Sequence, residues 1–110
     1  MARLFTVFVF CVLFAVFSQP VHAADEFKLT IKDHRFQPET LEIPAGRKVK
    51  ITIANEDATP EEFESYELNR EKVIKGNSTG IVFVGPLDPG TYPFFGEFNM
   101  STAKGRIVAK

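Results

Sequence analysis

Three stretches of the chain carry side chains able to hold a cation. The first is Asp33-His34, with the single imidazole outside the first 23 residues. The second is Glu61-Glu62-Phe63-Glu64, an acidic run interrupted by one aromatic. The third is Glu97-Phe98-Asn99-Met100, which offers a carboxylate, an amide oxygen and a thioether. Glu62 and Glu64 stand two apart, so on an extended segment their carboxylates point the same way. Two carboxylates, one imidazole and a further oxygen or sulfur donor make a mixed set suited to iron, manganese or Cu(II) more than to Cu(I). The candidate metal ligands are therefore His34, Glu62, Glu64, Glu97, Asn99 and Met100. Each has a plainer reading beside it. His34 and Met100 also fit as ordinary loop residues, Glu61 to Glu64 as a solvated acidic face, and Asp33 as a turn cap. Read as exposed, the Glu62–Glu64 pair contributes nothing to the core, and its two like charges raise the pKa of at least one member.

Catalysis has little to build on. No Ser or Cys nucleophile sits in a recognisable frame, no glycine-rich phosphate loop follows a strand, and one His without a partner is a thin basis for acid–base work. The chain reads as a binding protein and not as an enzyme.

The elements that must position these residues begin after a secretory signal, residues 1–23. Arg3 supplies the positive end, Leu4 to Phe17 is apolar except for Thr6, and Val21-His22-Ala23 is a small-residue cleavage pattern. The apolar run is shorter than the roughly 18 residues of a membrane span. Cleavage removes Cys11 and His22, so residues 24–110 contain no Cys and one His. That excludes a disulfide and a thiolate ligand. Of 13 Lys and Arg, Arg3 is lost, which leaves 12 against 14 Asp and Glu, a net charge of −2. That balance argues against nucleic acid and anionic membrane surfaces.

Residues 24–110 read as one small domain. Phe27 to Lys32 alternates apolar and polar, and so do Leu41 to Ile43 and Val49 to Ile53. Asp33 to Pro38 reads as a connection, because Gln37 precedes a proline. Phe63 to Leu68 reads as a short strand or a single helical turn. Ile81 to Val84 and Tyr92 to Phe95 read as buried strands, and Gly105 to Val108 as the last one, across a polar loop from Gly96 to Lys104. Pro89-Gly90 is a turn signal, and Tyr92 two residues on can return its hydroxyl to upstream backbone, as in a tyrosine corner. About seven short strands separated by Gly, Pro and Asn turns indicate an all-β Greek-key sandwich.

Phe36-x-Pro38-x-x-Leu41-x-Ile43-Pro44-Ala45-Gly46, Asn55 and Leu87-x-Pro89-Gly90-x-Tyr92-x-Phe94 resemble the cupredoxin superfamily. Lys32-Asp33-His34-x-Phe36, Pro60 to Ser65 and Phe95-Gly96-x-Phe98 resemble more closely the EfeO-type cupredoxin-like family of small secreted bacterial proteins. In cupredoxins the last hairpin supplies Cys, His and Met ligands. The corresponding positions here read Gly96, Asn99 and Lys104, with a His common in the EfeO-type family where Asn99 stands. The resemblance implies a periplasmic protein, an iron or copper ion without a blue-copper centre, and an iron permease system or periplasmic metal-binding companion as partner. It also implies that the three candidate stretches meet at one end of the sandwich. A copper electron carrier and a metal-free adaptor that binds protein through the loop end are the alternatives.

The signal reading has a direct test. Intact mass of the exported protein should correspond to a chain beginning at Ala24; a mass that retains residues 1–23 would contradict it.

Overall fold

The computed structural model describes residues 25–110, with residues 3, 11–13, 15 and 16. Most of the expected signal, residues 1–23, and its cleavage point lie outside the described residues.

Among the described residues there are nine strands: β1 (Asp25–Lys32), β2 (Arg35–Gln37), β3 (Thr40–Ile43), β4 (Val49–Asn55), β5 (Glu61–Ser65), β6 (Arg70–Ile74), β7 (Ser78–Val84), β8 (Gly90–Gly96) and β9 (Lys104–Ala109). A single 3-10 turn, Glu97–Asn99, follows β8. The strands form two mixed sheets, ordered β2-β1-β4-β7 and β3-β9-β8-β5-β6. β1 runs parallel to β4 and β3 parallel to β9; the other pairs are antiparallel.

The two strands beyond the expected seven have different causes. β2 exists because Asp33 and His34 both adopt positive φ, 52° and 56°. They form a two-residue hairpin loop of the kind whose twist matches its flanking strands. That turn places Arg35 opposite Lys32, where the sequence suggests only a connection. β6 is an edge strand of Arg-Glu-Lys-Val-Ile in which Ile74 alone is buried. Charged side chains on an edge discourage further pairing and leave no apolar alternation to read. Phe63 to Leu68 resolves into the end of β5 followed by a turn, with Asn69 N–H bonded to the Tyr66 carbonyl at 3.1 Å.

The core is the space between the sheets. Leu29, Ile31, Val49, Ile51 and Ile53 face Phe63, Phe94 and Ile107, all essentially inaccessible. Phe36, Phe63 and Phe94 form its aromatic centre. Phe94 lies 4.9 Å from Phe36, edge-on, and 5.0 Å from Phe63. Edge-to-face and tilted packing at these separations suits the ring quadrupoles. Two buried polar anchors, Asn55 and Ser65, tie β5 and its surroundings together, and a more exposed one closes the turn before β8. Asn55 donates to the carbonyls of Thr59 and Ile74 at 2.9 and 3.2 Å and accepts from the Asp57 N–H at 3.0 Å. Ser65 Oγ donates to the Pro93 carbonyl at 2.7 Å. The Tyr92 hydroxyl donates to the Asp88 carbonyl at 2.8 Å, the tyrosine corner the turn signal led us to expect.

Removing the ring shared by both aromatic contacts should be costly. Phe94→Ala should lower unfolding free energy by about 3–5 kcal/mol, read from urea denaturation. A loss below about 1 kcal/mol would mean that the trio is not the centre of the core.

Candidate metal centre

β5 carries the site because its two faces meet different environments. Glu61, Phe63 and Ser65 turn inward and are buried; Glu62 and Glu64 turn to the outer face of the five-stranded sheet. β5 is an interior strand, so outward side chains have neighbours on both sides. Glu64 stands opposite Glu71 of β6 and opposite Phe95 of β8. Glu62 stands opposite Val73. One step past the Phe63–Gly96 pair the register brings Glu97 beside Glu62. One carboxylate oxygen from each of Glu62, Glu64, Glu71 and Glu97 lies within 4.8 Å of the other three.

Like charges placed directly across a sheet repel, and a proton or a cation would relieve them. Glu71 and Glu97 are exposed to water, and the repulsion is least screened at Glu62. Glu62 is 6% exposed, a correction to the expectation of an exposed pair. β6 covers it from one side and the 3-10 turn from the other. Its Oε1 and the Oε2 of Glu64 are buried without a hydrogen-bond partner. The Glu62 pKa is pushed up to about 8, first by a hydrogen bond with Glu71, then by burial and by Glu97. The raised pKa favours the protonated form of Glu62 near neutral pH in the metal-free protein.

The other candidate ligands are placed differently. The loops do converge: Thr102 Oγ1 donates to the His34 carbonyl at 2.6 Å. The His34 side chain, however, is 47% exposed, with Nδ1 3.6 Å from Asp57 Oδ2, and it is not part of the four-carboxylate group. Asp57 holds the β1–β2 turn by accepting the N–H groups of Asp33 and His34 at 2.8 and 3.0 Å. The His34 N–H is the main reason its carboxyl stays below the usual range. Asn99 is turned inward, and Nδ2 donates to Glu61 Oε2 at 2.6 Å. Met100 is 55% exposed just past the 3-10 turn. Glu71 is the member that sequence reasoning missed. Only the pairing of β6 with β5 brings it opposite Glu64, and β6 has no apolar pattern that would announce a strand.

The inner side of the same end is closed. Glu61 Oε1 accepts the N–H groups of Glu62 and Phe98 at 3.0 and 2.9 Å, and Oε2 accepts the Asn99 amide. A Cβ on Gly96 would lie 2.7 Å from Glu61 Cδ and 2.6 Å from Ala103 Cβ. Glu61 thus fills the space that a side chain at position 96 would take.

A family model, the cupredoxin-like domain, matches residues 4–109. The chain belongs to the cupredoxin-like domain family. It is 45% identical over 83 residues to an uncharacterised protein of Rickettsia prowazekii (strain Madrid E), a match that covers 76% of this chain and 66% of that relative's length. Among solved structures, auracyanin A, a "blue" copper protein from Chloroflexus aurantiacus, superposes with a TM-score of 0.68 at 15% identity, over 80% of this chain and all of that one. The metal-binding domain of the Cu(I)-exporting P-type ATPase CopA from Streptococcus pneumoniae D39 superposes at 0.62 with 17% identity, over 77% of this chain and 84% of that one. At these identities the structures show a common fold. The cupredoxin-like residues here do not fit a thiolate copper centre. The hairpin of residues 90–109 has neither Cys nor His, and its inner end is occupied by the hydrogen-bonded Glu61.

The raised Glu62 pKa sets the sign of a pH effect. A carboxyl whose folded pKa lies above its unfolded value near 4.5 stabilises most below that value, and the contribution is lost as pH rises through about 8. The melting temperature of the metal-free protein should therefore fall from pH 5 to pH 9 more steeply than that of Glu62→Gln. Parallel pH profiles for the two proteins would show that Glu62 ionises normally.

Proposed function

We propose that this chain is an exported, periplasmic cupredoxin-like metal-binding protein that serves an iron or copper uptake system, with an iron permease or a periplasmic metal-binding companion as partner. One observation carries the reading: four carboxylates on three neighbouring segments converge on one point, and one of them keeps a buried oxygen without a partner. An all-oxygen set favours hard cations such as iron and manganese. The uptake context rests on the resemblance to the EfeO-type family, and export on the sequence of residues 1–23. A bound cation would take the place of a proton on Glu62 and satisfy the buried oxygens of Glu62 and Glu64 together. Copper electron transfer is disfavoured by the absence of Cys and His donors in the last hairpin. An adaptor role remains as a second reading, favoured by Val73, Phe98 and Met100, all exposed, since Val73 pairs with Glu62 and Phe98 follows Glu97.

Calorimetric titration with Mn(II) tests the metal reading. Glu62→Gln and Glu71→Gln should each weaken binding by roughly tenfold or more, about 1.4 kcal/mol, while His34→Ala should change little. Affinity should drop as pH falls and the carboxylates take up protons. Equal affinity in all four proteins would move the function away from this face. No binding by the wild type would favour the adaptor.

A further inference from the structure

The ladder between β5 and β8 is short. It consists of the pairs Phe63–Gly96 and Glu64–Phe95 and stops where Glu97 begins. Past that point the 3-10 turn meets β5 through a side chain. Glu61 Oε1 binds the N–H of Phe98, the residue directly after Glu97, and the N–H of Glu62 as well. Its Oε2 binds the Asn99 side chain at 2.6 Å. One buried carboxylate therefore joins the backbone of Glu62 to the turn that carries Glu97. The loop is also closed on itself: the N–H groups of Thr102 and Ala103 both bond to the Asn99 carbonyl, at 3.2 and 2.8 Å. Beside the bond from Thr102 Oγ1 to the His34 carbonyl, Glu61 supplies the side-chain hydrogen bonds that tie the segment next to Glu97 to β5.

We infer that Glu61 is the positioning residue of the cation site on the opposite face of β5: it sets Glu97 against Glu62 without touching the cation. Glu61 points inward while Glu62, Glu64, Glu71 and Glu97 meet on the outer face. Its two oxygens accept three N–H groups, from Glu62, Phe98 and Asn99, and so join β5 to the turn. Gly96 is the condition for the arrangement, since a Cβ there would lie 2.8 Å from Glu61 Oε1.

The inference rests on the metal-binding reading for its affinity arm and has a second arm that does not. In the affinity arm, Glu61→Ala should weaken Mn(II) binding about tenfold or more, the usual cost of losing an outer-shell partner. Glu61→Gln should stay close to wild type, because Asn99 can flip its amide and all three hydrogen bonds survive. That contrast separates positioning from the mere loss of a nearby negative charge. In a double-mutant cycle, Glu61→Ala should be strongly coupled to Glu97→Gln and closer to additive with Glu64→Gln. Should Glu61→Ala fail to fold, Asn99→Ala keeps the charge, removes one bond, and should weaken binding in the same direction by less. In the second arm, nuclear Overhauser contacts between the Glu62 and Glu97 side chains are read in the metal-free protein. They should be present in wild type and Glu61→Gln and lost in Glu61→Ala, or weakened in Asn99→Ala. A wild type that binds no Mn(II) but shows this pattern would overturn the metal reading and leave the positioning role standing. Unchanged Glu62–Glu97 contacts in folded Glu61→Ala, or equal loss of affinity in Glu61→Gln and Glu61→Ala, would overturn the positioning role.

Discussion

A carboxylate taken out of water must find donors, a cation or a proton. β5 presents that constraint twice in succession, on opposite faces. Glu61, 1% exposed, meets it with three N–H donors. Glu62, 6% exposed, has no such donors; the Glu71 and Glu97 carboxylates beside it and its burial push its pKa up to about 8. The two solutions depend on each other. The backbone N–H of Glu62 is one of the donors that satisfy Glu61, and the turn that Glu61 holds brings Glu97 against Glu62.

The sandwich supplies the rigid frame on which this depends. Phe63 sits between Glu62 and Glu64 in sequence and packs against Phe94 and Phe36 in the core. A rotation of β5 that relieved the crowded carboxylates would pull Phe63 out of that contact. Because strand side chains alternate, a one-residue slip would also exchange the buried aromatic for a glutamate. Burial of a phenylalanine is worth roughly 1.5–3 kcal/mol, and Ser65 locks the same strand to β8 through the Pro93 carbonyl. Repulsion on the outer face is thus tolerated because apolar packing on the inner face holds the register.

What was legible in the sequence follows from the same alternation. Phe27 to Lys32 and Val49 to Ile53 declare half-buried strands because one face of each meets the core, and Leu87 to Tyr92 declares its turn through Pro, Gly and a returning hydroxyl. The i, i+2 spacing of Glu62 and Glu64 likewise puts both on one face, as the structure has it. β2 was hidden because a hairpin loop made of Asp33 and His34 carries no glycine to advertise its positive φ. β6 was hidden because an edge strand with one buried residue has no period. Glu71 was invisible for that reason: a cross-strand neighbour is set by register, and register is a property of two segments. The inward turn of Asn99 could not be read either, since it depends on the long-range partner Glu61.

The division of labour across β5 also bears on how this end of a cupredoxin-like sandwich can accommodate a ligand. A side chain at position 96 and the carboxylate of Glu61 compete for one space, with separations of 2.7 and 2.8 Å to a Cβ that glycine lacks. With Gly96 in place the interior is filled, its donors and acceptors are matched, and nothing there calls for a cation. The unsatisfied oxygens lie on the other face, on Glu62 and Glu64. Polar groups that fold without partners bind what supplies them, because the cost of desolvation has already been met in folding. By that argument the outer face of β5, and not the interior of the loop end, is where a positively charged ligand gains most.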